Sequence, residues 1–110
     1  MKKDKTAVWK NQATQQLCEV LVSIDSDATM QNFLRDVMTE KEIIEISSRL
    51  EAARMLQNGD KYIDIVKKTR LSSRTVARIS DWLKNGKGGY QAVLQTINTH
   101  HNHIPPARAE

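Results

Sequence analysis

Between Tyr62 and Asp81 the chain spaces five apolar residues so that two short helices joined by a tight turn bury them together. Ile65 and Val66 lie on the first helix, Leu71 fills the turn, and Val76 and Ile79 share one side of the second. A wedge of this kind is a helix-turn-helix, in which the helices cross steeply and the apolar positions are few and fixed. Ser72 or Ser73 offers a hydroxyl to cap the second helix, whose free end amides suit a phosphate. The residues left outside the wedge are Ser72, Ser73, Arg74, Thr75, Ala77 and Arg78, all small, polar or cationic. Such a face suits the major groove of double-stranded DNA, where arginine pairs with guanine and short hydroxyls reach bases or phosphates. Lys67, Lys68 and Arg70 come just before it and suit backbone phosphates. The turn position that often holds glycine is Arg70, which tolerates a left-handed backbone poorly.

Charge points to the same window. Residues 61 to 90 hold eight basic and two acidic residues, a net +6 against +4 for the whole chain, so the remainder is net −2. A basic block on a near-neutral body fits a polyanion partner, although a solvated lysine-rich face is the plainer alternative. The chain has 110 residues, 39% of them hydrophobic, enough for one domain with a modest core. A second copy would supply further burial, and a homodimer is expected. Four glycines, two prolines and an abundance of helix formers give an all-α fold. The single cysteine, Cys18, excludes an intramolecular disulfide and suits a reducing compartment. No apolar run approaches the roughly 20 residues of a membrane span. The charged start Met1-Lys2-Lys3-Asp4-Lys5 lacks a following signal-type stretch, so the expected location is cytoplasmic, with no membrane partner.

The remaining helices follow from periodicity. Trp9, Ala13, Leu17, Val20 or Leu21 and Ile24 recur at spacings of three and four, which predicts a helix over Thr6–Ile24. Ser26 and Asp27 offer caps for a short helix holding Met30, Phe33, Leu34 and Val37. Thr39-Glu40-Lys41-Glu42 has the capping-box form and opens a third helix through Ile43, Ile46, Leu50, Ala52, Ala53 and Leu56, stopping at Asn58-Gly59. Helices over Lys61–Lys68 and Ser73–Leu83 make the helix-turn-helix of residues 61–83. Asn85-Gly86-Lys87-Gly88-Gly89 forces a loop before a last helix over Tyr90–Thr99, with Val93, Leu94 and Ile97 apolar. Residues 1–99 thus read as a single helical DNA-binding domain and residues 100–110 as a flexible tail.

Three segments together resemble the Trp repressor superfamily, and within it the Trp-repressor-like YerC/YecD group. They are the capped helix from Thr39 through Arg49 to Gly59, the run Thr75-Val76-Ala77-Arg78-Ile79, and Leu83-Lys84-Asn85-Gly86-Lys87-Gly88-Gly89-Tyr90. The last is the most specific, since a glycine-rich loop ending in tyrosine has no reason to follow a generic helix-turn-helix. The resemblance runs from about Phe33 to Leu94. It implies a Trp-repressor-like helical bundle, an intertwined homodimer, and a transcription regulator with Ser73–Leu83 as recognition helix. It also implies that the helices around Trp9–Ile24, Phe33–Val37 and Tyr90–Ile97 build the dimer core.

In the Trp repressor one arginine stacks on the indole of L-tryptophan and another pairs with its carboxylate. The matching residues here are Arg49 and Arg78. The small residue after the second arginine is replaced by Ile79, and the serine that helps hold the amino group aligns with Trp82. An ammonium group left unpartnered in a closed site costs about 1–3 kcal/mol. L-tryptophan is therefore disfavoured as a ligand, and no cofactor is expected. Plainer roles are a phosphate contact for Arg78 and an ion pair with Glu45 for Arg49. His100, His101 and His103 read as a solvated tail and not a metal site, Cys18 as a buried, inert thiol, and Trp9 and Trp82 as core or dimer anchors. Glu51, Asp60 and Asp64 have no spacing that favours catalysis, and no nucleophile–base pair is visible, so an enzyme is not expected. The alternative to a DNA-binding regulator is a protein–protein adaptor that keeps a degenerate helix-turn-helix.

Overall fold

Short polar side chains decide where the helices begin. In the computed structural model, which describes residues 7–103 and their side chains through Ile97, a 3-10 helix Ala7–Lys10 precedes six α-helices. These are α1 Gln12–Ser23, α2 Asp27–Val37, α3 Glu40–Gln57, α4 Tyr62–Thr69, α5 Ser73–Asn85 and α6 Gly89–His103, with no strand among the described residues. The fold is all-α. The single helix expected over Thr6–Ile24 is broken at Asn11, whose backbone is extended (φ −82°, ψ 131°). Its side-chain oxygen accepts from the Ala13 amide at 2.7 Å and caps α1. Thr14 then donates its hydroxyl to the carbonyl of Val8, and Gln15 its side-chain amide to that of Trp9 at 2.6 Å, which fastens the 3-10 turn to α1.

Ser26 caps α2 through the Thr29 amide at 3.2 Å. The capping box at α3 is complete: the Thr39 amide donates to Glu42 Oε1 at 2.8 Å and the Glu42 amide to Thr39 Oγ1 at 3.1 Å. The helix closes at Gly59, which takes φ +88° while the Asp60 amide reaches back to the Met55 carbonyl at 3.0 Å.

The chain divides into two compact units, one ending at Ile43 and one beginning at Ile44. In the first, no residue of the 3-10 helix, α1 or α2 is buried. Trp9 is 49% exposed, and Leu17 and Val20 are exposed too. Cys18 is exposed too, against the expectation of a buried thiol, because nothing within that unit covers this side of α1.

The second unit holds the core. Ala52, Ala53, Met55, Ile65, Val76, Ile79 and Leu94 are buried, and Leu71, Leu83, Tyr90 and Ile97 are among the half-buried residues packed on them. Ile46 on α3 is 55% exposed in the single chain; the buried side of α3 lies nearer its C-terminal end, at Ala52, Ala53 and Met55.

The glycine-rich loop joins α5 to α6. A Cβ at Gly86 would sit 2.4 Å from the backbone oxygen of Trp82, so the close return of the chain there requires glycine. The Gly86 amide donates to that same oxygen at 2.9 Å. Gln91 donates its side-chain amide to the Leu83 carbonyl at 2.7 Å and ties the start of α6 to the end of α5. The backbone of α6 continues through His103, past the expected end at Thr99, since the first proline is Pro105. Residues 104–110 and the side chains of His100, His101 and His103 lie outside the described residues.

Replacing Gly86 with Ala is expected to cost about 1–3 kcal/mol, because backbone must shift to admit the methyl group. Replacing Gly89 with Ala, whose added Cβ meets nothing within 4 Å, is expected to change stability by less than about 0.5 kcal/mol. Urea midpoints of the two variants check the contrast.

Candidate nucleic-acid interface

The helix-turn-helix is held by one buried hydroxyl and three wholly buried aliphatic side chains. Ile65 on α4 and Val76 and Ile79 on α5 are 0% exposed, with Val66 and Leu71 packed against them. Thr69, the last residue of α4, is also buried. Its hydroxyl donates to the Ile65 carbonyl at 2.7 Å and accepts from the Leu71 amide at 3.3 Å, bridging the end of α4 to the start of the turn. Sequence reasoning passed over Thr69, because its role appears only once the turn buries it.

Arg70 adopts the left-handed conformation (φ 64°, ψ 13°) and is the only non-glycine residue with positive φ among the described residues. Its amide donates to the Val66 carbonyl at 2.8 Å, which closes α4. The chain then extends at Ser72 (φ −69°, ψ 157°), whose hydroxyl oxygen accepts from the Thr75 amide at 3.1 Å and caps α5. That hydroxyl also donates to Thr75 Oγ1 at 3.0 Å.

With Val76 and Ile79 turned into the core, helical geometry turns the other side of α5 outward. Ser73, Arg74, Ala77 and Arg78 are exposed there, with Ser72 exposed at its start and Thr75 half-buried. Arg74 and Arg78 are four residues apart and share that side. Lys67, Lys68 and Arg70 are exposed on the end of α4 and in the turn. Among the described residues no carboxylate pairs with Lys67, Arg70, Arg74 or Arg78.

Lys68 differs, since its ammonium lies 3.2 Å from Glu51 Oε2 on α3. Arg54 grips the same carboxylate with two bonds, Nε to Oε1 at 2.9 Å and Nη2 to Oε2 at 2.7 Å. The hydrogen bond from Arg54, aided by Lys68 and opposed by partial burial, holds the Glu51 carboxyl down at about 2. Glu51 in turn raises the guanidinium of Arg54. The link from α3 to α4 joins residues 17 positions apart, so no local pattern announces it.

The four residues considered as a ligand pocket differ in setting. Arg49 donates to Glu45 Oε2 at 2.9 Å. Ile79 is wholly buried, Arg78 is exposed, and Trp82 is 40% exposed. Burial raises the phenol of Tyr90, with the positive charge of Arg49 acting in the opposite sense.

Residues 12–98 match the family model for the Trp repressor protein. The uncharacterized YerC protein of Bacillus subtilis is 32% identical over 82 residues, covering 74% of this chain and 79% of YerC. A crystal structure of a TrpR-like protein from Eubacterium eligens is similar at 35% identity with a TM-score of 0.76, covering 81% of this chain and 92% of that one. A Staphylococcus aureus structure described as a candidate Trp repressor has a TM-score of 0.79 over 87% of this chain and 96% of its own; at 24% identity it bears on the fold alone. No helix of the described residues is long and apolar enough to cross a membrane.

Two measurements follow from the turn and the ion cluster. A side chain in the left-handed region costs about 1–2 kcal/mol, part of which is offset by the greater freedom glycine loses on folding. Arg70→Gly is therefore expected to raise stability by up to about 1 kcal/mol in urea titration. Glu51 is held below its unfolded value, so its stabilising effect is complete above a pH of about 4.5 and fades as the pH falls toward 2. The cluster is partly exposed and screened, so wild type is expected to exceed Glu51→Gln by no more than about 1 kcal/mol at neutral pH. That gap closes across the acid window, as denaturation at a series of pH values will read.

Proposed function

The chain belongs to the Trp repressor family, in its YerC-like group, and from that premise we propose that it is a transcription regulator that binds double-stranded DNA sequence-specifically through α5. The observation that carries this reading is the two-sidedness of α5, with Val76 and Ile79 wholly buried on one side and Arg74 and Arg78 open and unclaimed on the other. In this reading α5 enters the major groove. Arg74 and Arg78 meet base edges or phosphates, and Ser72, Ser73 and Thr75 bond phosphates or bases near the helix start. Lys67 and Arg70 take the flanking phosphates.

The proposal includes a homodimer, with residues 1–99 acting as one domain in each copy. Trp9, Leu17, Ile46 and Val93 are large apolar residues left exposed by the single chain, and a second copy is the partner that family membership supports. Two-fold symmetry would set the two α5 helices for successive major grooves about 34 Å apart. L-tryptophan is not part of the proposal. Arg49 is engaged by Glu45, Ile79 is wholly buried in the helix-turn-helix core, and Trp82 supplies no hydrogen-bond acceptor for an ammonium group. Regulation then acts through repressor-like occupancy of DNA, with no enzymatic step.

Fluorescence titration of duplexes selected from a random pool, at two salt concentrations, tests the reading. Affinity is expected to fall steeply with salt while one sequence stays preferred. Arg74→Ala is expected to cost about 1–3 kcal/mol on the preferred site and to relax base choice. Lys67→Ala is expected to weaken all sequences alike and to lower the salt slope by about 1. Light scattering is expected to give a dimer mass. A folded protein that binds no duplex at either salt concentration would leave the adaptor reading in place.

A further inference from the structure

We propose that Glu51 keeps Lys68 out of the DNA contact, and so holds down the affinity of this chain for polyanions of any sequence. The inference rests on the reading of α5 as a DNA-binding helix. Lys68 stands in the last turn of α4, two residues before Arg70, so by position it belongs to the row Lys67, Lys68, Arg70, Arg74 and Arg78. All five are exposed, yet among the described residues Lys68 alone of the row is paired with a carboxylate.

That carboxylate is not free to swing away. Arg54, one turn along α3, holds both of its oxygens, and Lys68 comes to Oε2 from a different helix. A phosphate approaching Lys68 must displace a carboxylate already in place and meets its negative charge while doing so. The pairing does not lapse at ordinary pH, since Glu51 stays ionised down to about 2.

The consequence falls on general affinity and not on base choice. Each phosphate neutralised adds about 0.9 to the slope of log affinity against log salt, whatever the sequence. Withholding one cation removes one such contact from every site, while the base-edge role given to Arg74 is untouched. The Lys68 side chain is 61% exposed and that of Glu51 30%, so solvent screens the pair and the affinity gained on releasing Lys68 is modest. An exposed pair of this kind shifts an equilibrium by at most about fivefold.

The test uses the full chain as Glu51→Gln, Lys68→Met and the double variant, each checked for folding by its thermal melt. Binding to a random duplex is titrated across salt, and the salt needed to elute each protein from a heparin column is read in parallel. Glu51→Gln is expected to tighten duplex binding about three- to fivefold at low salt and to steepen the slope by about 0.9. Lys68→Met alone is expected to leave the slope unchanged, and the double variant to return to the wild-type slope. On heparin, Glu51→Gln is expected to elute at higher salt, with the increase lost in the double variant. A slope that falls in Lys68→Met alone would overturn the proposal, since Lys68 would then already be touching phosphate. An unchanged slope and elution in Glu51→Gln would overturn it too, leaving only a structural tie between α3 and α4. If the unmodified protein binds no duplex, the DNA reading fails, and the order of elution from heparin still decides the role of Glu51.

Discussion

Ile65, Val76 and Ile79 meet without any exposed surface, and that packing decides what the rest of this unit presents to solvent. Val76 and Ile79 fix the rotation of α5 about its own axis, so Arg74 and Arg78 have nowhere to point but outward. Ala52 and Ala53 of α3 join the same cluster. Both are wholly buried, so a larger side chain at either position would have to displace its neighbours. Leu94 and the half-buried Tyr90 and Ile97 bring α6 onto the same core, steered by the tight return at Gly86.

The turn between α4 and α5 shows how a helix-turn-helix is built without its usual glycine. Arg70 accepts the left-handed conformation because both sides of it are tied down: its amide closes α4, and the Thr69 hydroxyl holds the amide of Leu71. Strain of this kind persists where the surroundings over-determine the backbone. It leaves a cation at the corner of the motif, beside Lys67 and ahead of the capped start of α5. On the DNA-binding reading, that corner is where a phosphate arrives.

Much of this was legible from local rules. The five apolar positions of the motif, the capping box at Thr39 and Glu42, and the stop at Gly59 each depend on residues within a few positions of one another. Features that depend on the assembled chain were not. Glu51 and Lys68 meet only after α3 and α4 are placed, and Thr69 looks like any polar helix end until it is buried. Asn11 broke a helix whose apolar periodicity ran through it, because a side-chain cap satisfied the backbone better there than continued helix. Cys18 follows an inward pattern yet stays exposed, since periodicity marks an apolar side without saying whether the same chain covers it. The matching of Arg49 and Arg78 to ligand-binding arginines is an expectation from resemblance alone, while their partners and exposure come from the fold.

The central claim is that the outward side of α5 is the surface that meets DNA. Amide chemical shifts of the isotope-labelled protein, followed while a duplex carrying a selected sequence is added, test it residue by residue. The expected result is saturable shifts concentrated on Ser72, Ser73, Arg74, Thr75, Ala77 and Arg78, with smaller ones at Lys67 and Arg70. Shifts that spare these residues and gather instead on α1 and α2, or no saturable shift at all, would contradict it.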